Sequence, residues 1–516
     1  VINNRFAPNV TGNALQMAPT QPIQDTDSTF FEWQSGLAPL NPVSEINRRF
    51  NIGKSTRNLY SLNLEYQLPF LEGLSVNLIG SFDQQKGISQ DATLLVDRSG
   101  DVGGFTYRED ENLRRNIEGY FTYKKKINDF DFDVTAGYSY YDNTFKIIDQ
   151  FQLIEAGGTT IDSLSLPSSL EDFLSKDQLE ANSAFLENNL VFDERNRRLI
   201  SFYGRANLKF KDRYLLTATL RRDGTSAISD TGEPWRYFPS LAFGWRIIDE
   251  PFMAGTQNVL SNLKLRIGYG ELGNQNNIDD FDNLFFYTQG DDRVQYIFGN
   301  DTVNTVRPNA VDERVRWETT TQLNLGVDVG FFEGRLNGSI DVYNKVTSDL
   351  LLDIIFPIGL IPGDRAVTNV AEFESKGFEI QLNTVAIDKA DLRLDISMNA
   401  AYNQNTITKL NRSNDPDDPG IRRGGSSGEV GRTIQVWRVG ENNSAFFVWE
   451  HIRDENGNPR SDSEDYNGDG LENDLDIYVD QNGDGVINEN DLVTHKKADP
   501  DWIFGLTTNA SYKKFD

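Results

Sequence analysis

Cysteine is absent from all 516 residues, so no disulfide, thiolate nucleophile or thiolate metal site is available to this chain. Histidine occurs twice, which leaves soft metals without a ligand set. No stretch reaches the roughly 18 consecutive apolar residues that a membrane-spanning helix needs. A membrane role would therefore require a closed barrel, because only a closed sheet leaves no unpaired backbone in lipid. The opening Val1-Ile2-Asn3-Asn4-Arg5 is polar and lacks the apolar core of a signal peptide. The expectation is that a leader and the first segments belong upstream; a cytoplasmic protein is the competing reading. Basic residues are outnumbered, with Lys+Arg at 50 against Asp+Glu at 78 and a net charge of -28. Such a chain repels a phosphate backbone, which excludes a nucleic-acid partner.

Aromatic residues and glycine are plentiful, with 33 Phe, 19 Tyr and 42 Gly, a mixture suited to twisted strands rather than a helical core. Period-2 alternation recurs along nearly the whole chain. In 199–210, Ile200, Phe202, Gly204, Ala206, Leu208 and Phe210 share one face, and Ser201, Tyr203, Arg205, Asn207 and Lys209 share the other. After the polar turn Lys211-Asp212-Arg213, the residues Tyr214, Leu216, Ala218 and Leu220 alternate with Leu215, Thr217, Thr219 and Arg221, a hairpin signature. The same rule covers Tyr237, Leu241, Phe243, Trp245 and Ile247, and then Leu263, Leu265, Ile267 and Tyr269. The cleanest sets are Leu323, Leu325, Val327, Val329 and Phe331, and Leu392, Leu394, Ile396, Met398, Ala400 and Tyr402.

A soluble β-sandwich alternates as well, so connection length has to decide. Short turns fall near 69–73, 126–129, 211–213, 331–335 and 386–391. Long connections fall at 85–112, 143–198, 223–236, 271–315, 345–370 and 405–501, with 248–262 intermediate. Short turns on one side and long loops on the other are the pattern of outer-membrane barrels. The reading gives about 13 strands, whereas single-chain bacterial barrels hold an even number, so further strands are expected on either side. The fold expected is all-β, a transmembrane antiparallel β-barrel of which residues 1–516 form a part.

One metal motif stands out in 480–491. Asp480, Asn482, Asp484, Asn488 and Asp491 occupy positions 1, 3, 5, 9 and 12 of a calcium loop; Val486 offers its carbonyl at position 7, and Gly485 stands at the sharp turn. Asp491 replaces the usual Glu and shortens the reach. A weaker match lies upstream, with Asp465, Asn467, Asp469, Leu471, Asn473 and Asp476 at the same spacing and Glu472 where an apolar residue normally packs. Residues 462–493 are thus expected to form a Ca²⁺-stabilised insertion in an external loop. A run of Asx turns on a solvated loop is the competing reading.

Catalytic signals are thin. His451 and His495 sit far apart and in no nucleophile motif, and the acids are too many for any pair to single itself out, so no enzyme is expected. Gly268-Tyr269-Gly270-Glu271-Leu272-Gly273 opens no helix and is no dinucleotide fingerprint. Among the loop aromatics, Trp33, Tyr287, Trp437, Phe446, Phe447 and Trp449 could stack on sugar rings, although packing within the loops is the stronger expectation. Trp235, Trp245, Trp317 and Trp502 are expected in an interfacial girdle.

Several segments carry a resemblance. LISFYGRANLKFKDRYLLTATLRRDGTSAI followed by WRYFPSLAFGWRI (199–247), LSNLKLRIGYGELGNQ (260–275), the run from Arg316 to Leu352, NVAEFESKGFEIQLN (369–383) and the end of the chain from Asp480 are similar to SusC-like TonB-dependent transporters, and the likeness covers nearly the whole chain. The resemblance implies a barrel of 22 strands with an N-terminal plug that lies outside this sequence. It also implies a place in the outer membrane of a Gram-negative bacterium and active import of glycans or peptides. The implied partners are a SusD-like surface lipoprotein, the TonB–ExbB–ExbD complex, outer-membrane lipid and a glycan or peptide substrate. The alternative is a structural or adhesive outer-membrane barrel that displays calcium-stabilised loops and transports nothing.

Overall fold

A computed structural model describes residues 2–3, 14, 21–24, 31, 41–93, 104–154, 186–187, 194–278, 287–289, 295–299, 301–356, 365–410, 419–425, 433–460, 474–513 and 515. The chain divides into two compact units, Val1–Phe121 with Gly137–Phe202, and Thr122–Ala136 with Tyr203–Asp516.

Long antiparallel strands build both. The first unit contains β1 (Arg49–Gln67) and β2 (Leu74–Thr93), which pair without a register break from Arg49↔Thr93 to Gln67↔Ser75. Three further strands, β3 (Gly104–Ile127), β4 (Phe130–Ile154) and β5 (Glu194–Phe210), contribute to both units. The second unit adds β6 (Tyr214–Thr225), β7 (Trp235–Arg246), β8 (Leu260–Asn274), β9 (Glu318–Phe331), β10 (Leu336–Ile355), β11 (Arg365–Lys389) and β12 (Leu392–Lys409). Four short strands follow, β13 (Ile421–Gly425), β14 (Thr433–Trp437), β15 (Ala445–Trp449) and β16 (Leu492–Lys497), and the long β17 (Trp502–Tyr512) pairs with β12 beyond them. Among the described residues there are thus 13 long strands, and in each unit sequential long strands are hydrogen-bonded neighbours.

Pairing in register carries each apolar residue of the second unit onto the same face as its neighbour's. One row runs Leu216, Phe243, Ile267, Leu325, Val342, Phe378, Tyr402 and Trp502 across eight strands. The next runs Leu265, Val327, Ile340, Ile380, Ala400 and Phe504. Among the described residues no second layer covers these side chains: Leu325 is 48% exposed and Phe504 72%. The first unit follows the same rule, with Tyr60, Leu62, Leu64 and Tyr66 paired to Phe82, Gly80, Leu78 and Val76 on one face. A soluble sheet would bury such rows; a sheet whose solvent on that side is hydrocarbon does not need to.

The height fits as well. The eight residue steps from Leu323 to Phe331 span about 27 Å of strand, which a tilt of about 40° turns into roughly 21 Å, near the apolar band of about 25 Å. Rings line its short-turn edge, where Phe130, Phe210, Tyr214 and Trp245 follow one another at centroid separations of 4.4, 6.1 and 6.3 Å. Trp502 belongs to the opposite edge, 5.4 Å from Phe378 and 5.2 Å from Tyr402.

The short turns stand where alternation places them, at 211–213 and 332–335 with left-handed Lys211, Asp212, Phe332 and Glu333. The intermediate connection contains two 3-10 turns, Ile247–Asp249 and Pro251–Met253. Here Glu250 is held by the Tyr214 hydroxyl at 2.6 Å, the Trp245 indole at 3.0 Å and Arg213 at 3.2 Å. Those donors keep the Glu250 carboxyl below the usual glutamate range, the Tyr214 hydroxyl contributing most. The long connections are shorter than the alternation suggests. β2 continues to Thr93 and β3 begins at Gly104, so most of 85–112 is strand, and β10 and β11 likewise extend into 345–370. Above the apolar band a strand faces water on both sides and needs no alternation, so the pattern fades before the strand ends.

Two outcomes are expected. Leu325→Arg costs roughly 2–4 kcal/mol of membrane folding, while Asn324→Arg on the other face is tolerated, as read from folding into lipid vesicles with urea titration. Equal costs at both positions would contradict the assignment of faces. Because the Glu250 carboxyl is lowered in the folded state, its contribution is present above the ordinary glutamate range and is lost as pH falls through the folded-state value. Glu250→Gln therefore lowers the urea midpoint at neutral pH, and the gap from the parent closes in acid; a gap independent of pH would refute the linkage.

Candidate functional site

Opposite the apolar rows lies a polar face. In the second unit it carries Lys264, Arg266, Asn324, Asp328, Asp341, Tyr343, Ser375, Glu379, Asn403 and Asn405, one residue out of phase with the lipid-facing set. Arg266 is its organising group. Its guanidinium donates to Asp328 at 2.8 to 3.1 Å and to Asp341 at 2.9 Å through both terminal nitrogens. Glycine makes this possible, since a Cβ at Gly326 would come within 2.7 Å of the guanidinium carbon. A second close approach puts the Tyr343 ring over Gly377, and its hydroxyl donates to Asn403 at 3.2 Å. Such a wall suits an aqueous lumen.

At the long-loop end the strands are locked by buried polar groups. Glu318, 1% exposed, accepts from Asn274 at 2.7 Å, Asn277 at 3.0 Å and the Leu351 backbone at 2.9 Å. Removing one partner of such a buried carboxylate leaves donors unsatisfied, at about 1–3 kcal/mol each. Trp317 is a correction to the girdle expectation. It is 3% exposed, packs edge-on against Phe238 at 5.6 Å and donates its indole N–H to the Pro234 carbonyl at 3.1 Å. Arg316 and Asn369 exchange backbone and side-chain bonds at 2.9 Å, and Arg316 also pairs with Asp349.

The connection read as a loop from 405 to 501 contains a four-stranded sheet, β13 to β16, in sequential order. Ile421, Trp437 and Val439 pack against Leu352, Val370, Ala371, Ile407 and Leu410. The Ile407 backbone bonds Glu441 and Gly440 at 2.9 and 2.8 Å, and Asn442 donates to the Asn405 carbonyl at 2.9 Å. Asn405, Ile407 and Phe373 continue the polar face upward, so the inserted sheet is seated on the lumen side of β11 and β12. Its aromatic residues serve packing. Trp437 meets Phe373 edge-on at 5.2 Å, Phe447 lies under Arg422 and Arg438, and Trp449 is tilted against Tyr478 at 5.3 Å. Tyr287 and Trp235 are exposed, while Trp33 lies outside the described residues. His451 lies 4.6 Å from Tyr478, and His495 pairs across the sheet with Phe446.

The 480–491 loop is closed by its own side chains. Asp480 accepts from the Gly483 and Gly485 backbones at 2.7 and 2.8 Å, Asn482 from Asp484 at 3.0 Å, and Asp484 from Val486 at 2.9 Å. Asn488 accepts from Asn490 at 2.8 Å, and Asp491, fully buried, accepts from Gln481 and Asn488 at 2.9 and 2.7 Å. Gly483 and Gly485 adopt left-handed φ of 73° and 81°, as the tight winding demands. The oxygen set and the glycine suit a hard cation, yet among the described residues no three carboxylates or imidazoles converge. Of the upstream candidate only Asp476 is described, buried at the end of a short helical turn; Asp465, Asn467, Asp469, Leu471 and Asn473 lie outside the described residues.

A single-layer antiparallel wall with one lipid-facing and one polar face, short turns at one end and long connections at the other, defines an outer-membrane β-barrel protein. The chain belongs to the TonB dependent receptor-like β-barrel family, whose model matches residues 4–513. It is 31% identical to "TonB-dependent receptor SusC" of Bacteroides thetaiotaomicron over 99% of this chain and 50% of that protein. It is 27% identical to "TonB-dependent receptor P3" of Formosa agariphila over 98% of this chain and 48% of that one. The chain therefore spans about half the length of the curated relatives it matches. Among solved structures, the RagAB peptide transporter shares the fold with a TM-score of 0.66 at 18% identity over 94% of this chain and 49% of that one. Membership in this family places the chain in the outer membrane of a Gram-negative bacterium.

Proposed function

We propose that this chain is the barrel portion of an active importer, which takes oligosaccharides or peptides across the outer membrane together with a SusD-like surface lipoprotein. The observation that carries this reading is the pairing of a polar inner wall with an inserted sheet seated over its long-loop end. The full-chain likeness to SusC supports the same reading, as does the RagAB fold, whose own name describes a peptide transporter. Energy would reach the protein from the TonB–ExbB–ExbD complex, and the chain itself would carry out no bond-making chemistry. Uptake of a labelled oligosaccharide or peptide by cells bearing the full-length protein should stop when the proton gradient is collapsed and when the partner lipoprotein is deleted. Surface binding without any gradient-dependent uptake would make the barrel an adhesive one.

We propose further that the 480–491 loop takes Ca²⁺ through Asp480, Asn482, Asp484, the Val486 carbonyl, Asn488 and Asp491, as its oxygen spacing and the left-handed Gly485 support. The ion would stiffen the insertion rather than act as a sensor. Limited proteolysis should cut at 480–491 faster after EDTA and slow again when calcium is restored; cleavage indifferent to both treatments would remove the ion from the account.

A further inference from the structure

One cleft on this strongly acidic chain is lined mainly by cations. It encloses about 300 Å³ at the long-loop end of the second unit, between Asp312, Arg314, Arg316, Asn369 and Lys409. Lys409 closes the pairing of β12 with β11, opposite Glu372 and beyond a register shift that follows Ile407↔Phe373. Its cross-strand neighbour Glu372 accepts from the Ser348 and Thr408 hydroxyls at 2.9 and 2.8 Å. The single carboxylate in the lining is already engaged. Asp312 accepts the Thr368 hydroxyl at 2.5 Å and the Arg314 backbone at 3.1 Å, and the Arg314 guanidinium stands 3.7 Å away. The Arg316 guanidinium is paired with Asp349, and its backbone is pinned by the Asn369 side chain. Its guanidinium thus stays aimed without paying for orientation when a ligand arrives. The side chain of Arg314 is largely exposed, open to a second partner.

From this geometry we infer that the cleft is a binding site for the carboxylate of an incoming ligand, with Arg314 and Arg316 supplying planar donors and Lys409 a point charge. Guanidinium forks match carboxylate geometry, and the half-enclosed setting raises the worth of each charge-assisted hydrogen bond. A cationic spot within a chain of net charge -28 also concentrates the local field where an acidic ligand would otherwise be repelled. The volume admits a carboxylate with the residue that bears it, either a sugar acid or the terminus of a peptide. This inference rests on the import reading for its physiological meaning, while binding itself can be measured without transport.

The test is calorimetric titration of the full-length protein in detergent with four probes: a galacturonic acid tetramer, its fully esterified form, a short peptide with a free carboxyl terminus, and the same peptide amidated. The expected result is that at least one free acid binds about tenfold or more tightly than its uncharged counterpart. That preference should be lost in R314Q/K409Q and weaken as ionic strength rises. Whichever acid binds identifies the source of the carboxylate. The single variant K409Q, outside the Asp312 pairing, guards against loss of fold, as does the heat-dependent gel mobility of an intact barrel. Equal binding of acid and neutral probes, binding of neither acid, or undiminished binding in folded variants would each overturn the proposal. Gradient-driven uptake of a neutral oligosaccharide that survives in R314Q/K409Q would leave the import reading standing, whereas uptake that never depends on the gradient would sink that reading without touching the calorimetry.

Discussion

Every backbone N–H and C=O that lies in hydrocarbon has to find its partner within the sheet, and the rest of this structure follows from that demand. It forces long antiparallel strands paired residue by residue, as in the unbroken register from Arg49↔Thr93 to Gln67↔Ser75. It also restricts proline. Pro239 stands in β7, and pairing of β7 with β8 stops at Ser240↔Gly270, one residue short of the missing N–H. Once the strands are paired, alternate side chains are committed to opposite solvents. Leu325 and Val342 meet lipid for the same reason that Arg266, between Gly244 and Gly326, meets Asp328 and Asp341.

Because alternation is a consequence of two solvents, it was readable wherever both were present. The rows through Phe243, Ile267, Leu325 and Tyr402 stood in the sequence as period-2 runs, and the turns at 211–213 and 331–335 fell between them. Legibility ended at the edge of the lipid. β10 runs on through Leu350, Leu352 and Ile354, which serve a local core beneath the inserted sheet, with Leu351 between them. Such a continuous run carries no period to read. The inserted sheet leaves no period-2 signal either. TIQVW and AFFVW are five-residue runs separated by Asn-, Gly- and Ser-rich turns, and runs that short do not distinguish strand from loop.

Trp317, buried and not interfacial, shows what composition alone conceals. A tryptophan just before a strand, in a chain with so many interfacial rings, has every surface mark of a girdle residue. Its burial depends on Phe238, Pro234 and Gly273, which lie far away in sequence. Gly273 is informative here, since a Cβ at that position would come within 3.0 Å of the Trp317 ring. A glycine among alternating residues signals a close approach, but it does not say by what.

Specificity has to reside in the parts that lipid does not dictate. A lipid-facing position can be exchanged among apolar residues with little consequence beyond its fit to hydrocarbon, and the polar wall below the loops is spent on holding itself together, as the Arg266 fork illustrates. At the long-loop end the constraint relaxes, strands leave the membrane, and buried groups such as Glu318 and Asn369 take over the task of positioning chain. That substitution of specific hydrogen bonds for a generic solvent is what permits a cleft with fixed charges to exist there. An arginine already paired with Asp349 has part of its orientation set by the protein itself, as a strand in lipid has its register set by its neighbours.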